Sequence, residues 1–186
     1  MAMIKRILTV LTILIVVLIG AAALMPERAT QMMIAVERAA SGLTHRTVTV
    51  DGEIWHYLEG GPADGEVILL LHGFGGDKDN WTRFARSLTK KYHVVAPDLP
   101  GFGESAKHAD WDYSPEPQRD RLRAFLRKLE LDSVHVVGNS MGGYLAGIYA
   151  AEYGDDVRSI AFFNTAGIDA PVESAMQRLL AEGKNP

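Results

Sequence analysis

Val134-His135-Val136-Val137-Gly138-Asn139-Ser140-Met141-Gly142-Gly143 constrains this chain more than any other stretch. A β-branched apolar run stops at a glycine, a serine follows one residue later, and two more glycines lead into the helix-compatible Tyr144-Leu145-Ala146-Gly147-Ile148-Tyr149-Ala150-Ala151. That order predicts a strand, a sharp turn and a helix. A serine held on such a bend projects its Oγ clear of the backbone, where a carbonyl can approach it. Ser140 is that serine, and Gly138 and Gly142 flank it where a Cβ would crowd the turn. The helix start beyond it offers an N–H and a partial positive charge to a developing oxyanion. Ser140 is therefore the candidate nucleophile.

Ahead of this motif, Ile7 to Met25 is an uncharged run rich in Leu, Ile and Val, preceded by Lys5 and Arg6 and closed by Pro26-Glu27-Arg28. Its length suits a membrane-crossing helix. The basic flank places its start in the cytoplasm, and the rest of the chain beyond the inner membrane in a bacterial source. The same segment also reads as a cleavable signal peptide, since Ala21-Ala22-Ala23 supplies small residues; the long apolar run favours an uncleaved anchor. The chain has no cysteine, which removes disulfides, thiolate metal sites and a cysteine nucleophile. Without Lys5 and Arg6, seventeen basic residues face twenty-three acidic ones, a balance that argues against a nucleic-acid partner.

Residues 30–40 carry Met32, Met33, Val36, Ala39 and Ala40 at helical spacing, with Glu37 and Arg38 opposite. They predict a helix joining anchor to domain, packed on the domain or lying among lipid headgroups. Thr47–Val50 and Glu53–Leu58 alternate like strands around Asp51-Gly52, a hairpin signal, and His56 reads as an ordinary strand residue. Val67–Leu71 lacks alternation, as in a strand of a parallel sheet buried on both faces, so the fold class is α/β. At its end stands His72-Gly73-Phe74-Gly75-Gly76. Ligands gather outside the carboxyl ends of such strands, so this loop and Ser140 should face one another. We assign the oxyanion-binding N–H groups to Phe74 and Met141, with His72, Gly73, Gly138 and Gly142 supporting loop and elbow. Asp79 or Asn80 is expected to cap a helix with Trp81, Phe84, Ala85 and Leu88 on one face. Tyr92–Pro97 is the next strand. Asp98, at its end, is expected to hold loop N–H groups rather than to catalyse. His108 and Trp111 either line the entrance or face water. A helix with Leu122, Phe125, Leu126 and Leu129 inward and its arginines largely outward leads to the elbow strand, and residues 158–164 form one more strand.

His72-Gly73-Phe74-Gly75-Gly76, Asp98-Leu99-Pro100-Gly101-Phe102-Gly103-Glu104-Ser105 and Gly138-Asn139-Ser140-Met141-Gly142-Gly143, in this order, resemble the α/β-hydrolase superfamily from about Thr47 to Asn164. The N-terminal apolar segment, Asp77-Lys78-Asp79-Asn80-Trp81 and the elbow are similar to membrane-anchored bacterial lipases and monoacylglycerol lipases. The resemblance implies Ser140 as the acylated nucleophile, Phe74 and Met141 as oxyanion donors, no cofactor or metal, and a lid starting near Thr165. The organisation expected is an anchor or signal over 1–25, a linker helix over 26–44, the N-terminal part of the hydrolase domain over 45–168 and a lid start over 169–186. The family's Asp or Glu and His follow its serine, yet no histidine follows Ser140 here. The acids beyond it, Glu152, Asp155, Asp156, Asp169, Glu173 and Glu182, do not end a later strand. His72 alone is expected near the serine. These departures suggest an N-terminal fragment of a longer enzyme, truncated after the sixth strand and leaving a parallel edge open. The expected function is hydrolysis of lipid esters of the acylglycerol type. A carbon–carbon bond hydrolase of the same fold, or a non-catalytic membrane-tethered remnant that binds a lipid or a partner, are the alternatives.

Overall fold

The computed structural model describes residues 2–167, the side chains of 14, 15, 17–19 and 21–23 excepted. The expected lid start over 169–186 lies outside these residues. Two helices open the chain, α1 over Ala2–Leu24 and α2 over Pro26–Ala40, with Pro26 in the first turn where a missing N–H costs nothing. The apolar N-terminal run thus folds as a helix, but no helix among the described residues is long and apolar enough to cross a membrane. The expectation of a transmembrane span over 7–25 is corrected accordingly: the segment is helical, but it does not meet the length and apolarity that a span requires among the described residues.

The strands are β1 (Leu43–Val50), β2 (Glu53–Gly60), β3 (Val67–Leu71), β4 (His93–Pro97), β5 (Val134–Asn139) and β6 (Val157–Phe163). They form one sheet in the order β1-β2-β4-β3-β5-β6, antiparallel across β1/β2 and β2/β4 and parallel elsewhere. Asp51 and Gly52 turn the first hairpin with φ of 50° and 88°, as the Asp-Gly signal requires. The hairpin begins at Leu43, four residues ahead of the alternation that announced it. Between strands lie α3 (Thr82–Leu88), α4 (Pro115–Lys128) and α5 (Met141–Glu152).

The unalternated leucines of β3 serve two faces at once, because successive side chains on a strand point oppositely. Leu69 and Leu71 join Trp55, Phe125, Val136 and Tyr149 in a core beneath α4 and α5. Ile68 and Leu70 join Leu58, Trp81, Ala85 and Val94 in a second core beneath α3. Each fully buried leucine contributes about 1.5–3 kcal/mol of transfer free energy, which makes β3 the anchor of both layers. By contrast β6, which among the described residues pairs only with β5, is half-covered at best, with Phe162 and Phe163 both exposed. β3 also marks where the strand order reverses, β4 lying on one side of it and β5 on the other. The crevice at such a switch point opens between the carboxyl ends of β3 and β5, which Leu71 pairing with Gly138 holds level.

Candidate active site

Ser140 follows β5 and caps α5 with φ 50° and ψ −115°, a conformation that side chains rarely adopt and that costs of order 1–3 kcal/mol. The bend persists because its surroundings fix it. The Ser140 N–H donates to the Phe163 carbonyl at 2.9 Å, while the Ser140 carbonyl accepts from Tyr144 at 3.1 Å and from Ala166 at 3.2 Å. A Cβ on Gly138 would collide with the Gly142 carbonyl, and one on Gly142 would collide with that of Leu71. Gly143 is equally confined, against Thr165. The glycine spacing therefore records contacts between the elbow, the start of α5 and the end of β3.

The facing loop lies where the sequence placed it. A Cβ on Gly73 would come within 3.3 Å of the Ser140 Cβ, so loop and serine are neighbours. Neither the Phe74 N–H nor the Met141 N–H, the latter in the first turn of α5, has a hydrogen-bond partner among the described residues. Both residues line a cavity of about 530 Å³ whose walls include Phe102, Tyr113 and His108. The Phe74 ring is 83% exposed and stands edge-on to Phe102 at 5.5 Å, giving the mouth an aromatic wall.

His72 has a different role from that of a base. It is buried, its Nδ1 donates to the Gly73 carbonyl at 2.8 Å and its Nε2 accepts from the Leu99 N–H at 3.0 Å. This pair of bonds sets one neutral tautomer. Burial drives its pKa below the ordinary histidine value, against the Gly73 carbonyl and Asp98, which favour the charge. With both nitrogens committed, His72 ties the loop after β3 to the loop after β4. The other five histidines are also engaged: His45 with His56, His93 with Glu59, His108 with Glu53 and His135 with Ser159.

Asp98 is structural, as expected, but through a partner that sequence reading missed. Its carboxylate accepts from the Lys78 N–H at 2.6 Å, the Lys78 Nζ at 2.7 Å and the Glu104 N–H at 2.8 Å, and is wholly buried. The Lys78 side chain is 2% exposed and also reaches Glu104 at 2.5 Å. Burial works against the ammonium, yet the hydrogen bonds to Asp98 and Glu104 outweigh it and its pKa rises. Gly103 follows from the same knot, since a Cβ there would strike the Asp98 carboxylate. The knot fixes the 98–105 loop and so holds Phe102 against His72 and Phe74. Nothing local in Asp77-Lys78-Asp79 announces a buried lysine, because its acidic partners lie 20 and 26 residues away. The expected cap at Asp79 or Asn80 is also corrected. Asp77 caps the short 3₁₀ turn Lys78–Trp81 ahead of α3, with Asn80 closing a reciprocal capping box.

A family model described as alpha/beta hydrolase fold matches residues 66–181. Lipase 1 of Psychrobacter immobilis is 47% identical over 153 residues, covering 78% of this chain and 48% of that protein. The monoacylglycerol lipase ABHD6 of Homo sapiens is 34% identical over 134 residues, covering 71% of this chain and 40% of the relative. Among solved structures, a membrane phospholipase A described as a bacterial virulence factor superposes with a TM-score of 0.79 at 42% identity, over 98% of this chain and 59% of that one. The chain spans about half the length of the curated relatives it matches. With an elbow serine beside a glycine-rich loop at the switch point of a mostly parallel sheet, and a matching family model over most of the domain, this chain belongs to the alpha/beta hydrolase fold family.

Proposed function

We propose that the chain carries the nucleophile and oxyanion site of a serine ester hydrolase acting on lipid esters of the acylglycerol type. The observation that carries this reading is Ser140 at positive φ on the elbow beside the glycine-rich loop, with the Phe74 and Met141 N–H groups lacking a hydrogen-bond partner among the described residues and both residues lining a cavity shared with Phe102 and Tyr113. In the proposed reaction Oγ attacks the ester carbonyl and its proton passes to a base. The carbonyl oxygen becomes an oxyanion held by the Phe74 and Met141 N–H groups. Collapse expels the alcohol, which takes the proton, and water then cleaves the acyl-serine by the reverse sequence. Oxyanion donors of this kind are typically worth about 3–4 kcal/mol each. A serine hydroxyl needs a base within hydrogen-bond reach. Since every described histidine is engaged elsewhere, the base in this proposal comes from outside the described residues.

The apolar substrate class fits the N-terminal helices. α1 exposes Ile4, Ile7, Leu8, Leu11 and other apolar side chains, and α2 exposes Met32, Met33 and Val36. We propose that these helices associate with a membrane and hold the site beside amphiphilic esters. The relatives whose names specify monoacylglycerol lipase and membrane phospholipase agree with this class.

The test is hydrolysis of a short-chain p-nitrophenyl ester and of a monoacylglycerol, by the 186-residue chain and by the longest product of its reading frame, each beside Ser140→Ala. Turnover that depends on Ser140 in a product supplying a base is the expected result. Turnover indifferent to Ser140→Ala, or none from any product, refutes the proposal. Alkaline carbonate extraction checks the membrane association: the chain should remain with the membrane fraction, and a deletion of residues 2–24 should release it.

A further inference from the structure

We propose that His45, His56 and Glu104 form a binding site for a divalent transition-metal ion of the zinc class. Their ligand atoms lie within 4.8 Å of one another, and theirs is the one group of three or more His, Asp or Glu residues among those described that converges in this way. His45 Nε2 stands 3.0 Å from His56 Nδ1 and 3.6 Å from Glu104 Oε2. Tetrahedral zinc with bonds of about 2.0–2.1 Å separates neighbouring ligand atoms by about 3.3 Å, which falls between these two spacings. Little motion is needed to admit the ion.

The site follows from the topology rather than from any local motif. Across the β1/β2 hairpin, His45 pairs with Leu58 and Thr47 with His56, so the two imidazoles are diagonal neighbours on one face. Their rings stack at 5.2 Å between centroids. Glu104 comes from the distant loop after β4, which Ser105 fixes to the same hairpin by accepting from the His56 N–H at 2.9 Å. An ion here would cross-link the hairpin to the loop that carries Phe102.

The chemistry of the donors agrees. Two imidazoles and a carboxylate suit zinc and its neighbours, not calcium or magnesium, which prefer oxygen. The histidines hydrogen-bond each other without the ion, so a tautomer change in one frees a lone pair on each and no net proton need leave. Glu104 Oε2 also accepts from Lys78, but a carboxylate oxygen has two lone pairs and can serve both partners. Lys78 is itself neutralised by buried Asp98, so Glu104 brings the surplus negative charge that favours a cation. None of these three side chains has a part in the proposed ester hydrolysis.

The test is zinc titration of the metal-stripped 186-residue chain in a non-ionic detergent, read by calorimetry, with cobalt(II) as a spectroscopic stand-in. One equivalent of zinc should bind, cobalt should give the visible bands of a four- or five-coordinate site, and His45→Gln, His56→Gln or Glu104→Gln should each weaken binding at least tenfold. His135→Gln should leave it unchanged. A second measurement requires no variant to fold: zinc should slow diethyl pyrocarbonate modification of His45 and His56 in the unaltered chain, peptide by peptide. Absence of a zinc equivalent, retention of full affinity in folded His45→Gln and His56→Gln, or modification unaffected by zinc overturns the proposal.

Discussion

Replacing Lys78 by methionine should destabilise the domain more than any surface substitution. The change removes an ammonium from a side chain that is 2% exposed and leaves its partner, Asp98, fully buried. Asp98 keeps two backbone N–H donors, from residue 78 and from Glu104, but loses the one positive charge bonded to it among the described residues. Breaking a buried pair from one side typically costs about 3–5 kcal/mol, because the remaining charge is held away from water without compensation. Glu104 adds little to this loss, since its side chain is half exposed and water can replace the lysine. For a chain of this size, about 2–4 °C of melting temperature per kcal/mol gives a fall of roughly 6–20 °C. The assay is urea unfolding followed by far-UV dichroism, for K78M, D98N and the double variant. Asparagine keeps an acceptor for the residue-78 N–H while removing the stranded charge, so K78M/D98N should regain at least half of the K78M loss. A K78M loss below about 1 kcal/mol, or a double variant no better than K78M, would refute the reasoning.

Two further changes probe the elbow and the loop beside it, and a third, in the β1/β2 turn, serves as comparison. Gly138→Ala should cost about 3 kcal/mol and, in a reading-frame product that supplies the base, abolish fluorophosphonate labelling of Ser140, because the new methyl meets the Gly142 carbonyl. Gly52→Ala, at φ 88° in open space, should cost only about 1 kcal/mol in the same unfolding assay. His72 binds protons less readily folded than unfolded, so its contribution is full above the ordinary histidine value of 6.5 and is lost as pH falls below it. His72→Asn should therefore flatten the acid side of the stability–pH curve relative to the unaltered chain. In the product that supplies the base it should slow Ser140 labelling less than tenfold; an unchanged slope, or labelling lost as completely as in Ser140→Ala, would contradict the assignment of His72 as a tie between loops.

What could be read from the sequence was whatever depends on neighbours along the chain. The elbow, the hairpin turn and the buried strands announce themselves through glycine spacing and apolar runs, and the structure has them at those positions. The proposal of Ser140, Phe74 and Met141 rests on the same kind of signal, since a strand end followed by a glycine-rich turn is a local pattern. Residues whose partners come from other strands were not. Lys78 reads as one more charge in a polar turn, and its burial depends on Asp98 and Glu104 across the sheet edge. His56 reads as a strand residue, and only pairing with β1 brings His45 to it. The arginines of α4 were expected in water, yet Arg123 lies 3.7 Å from the centre of the Tyr153 ring and Arg119 at 5.4 Å, contacts made possible only by the packing of α4 on α5. The N-terminal run was legible as a helix, but among the described residues no helix is long and apolar enough to cross a membrane.

The central position of β3 sets a timetable for folding. Ile68 pairs with Val94 on one side and with His135 on the other, so the second partner arrives 67 residues after the strand itself. At ordinary rates of protein synthesis, about 5–20 residues per second, that gap lasts roughly 3–13 s. Throughout it, the most apolar strand of the domain has one edge unpaired while the elbow that will flank it has yet to be made. Long-range parallel pairings of this kind are slow to form and exposed to misassembly while they wait. The strand that anchors both cores is thus also the segment for which a nascent-chain chaperone has the longest opportunity.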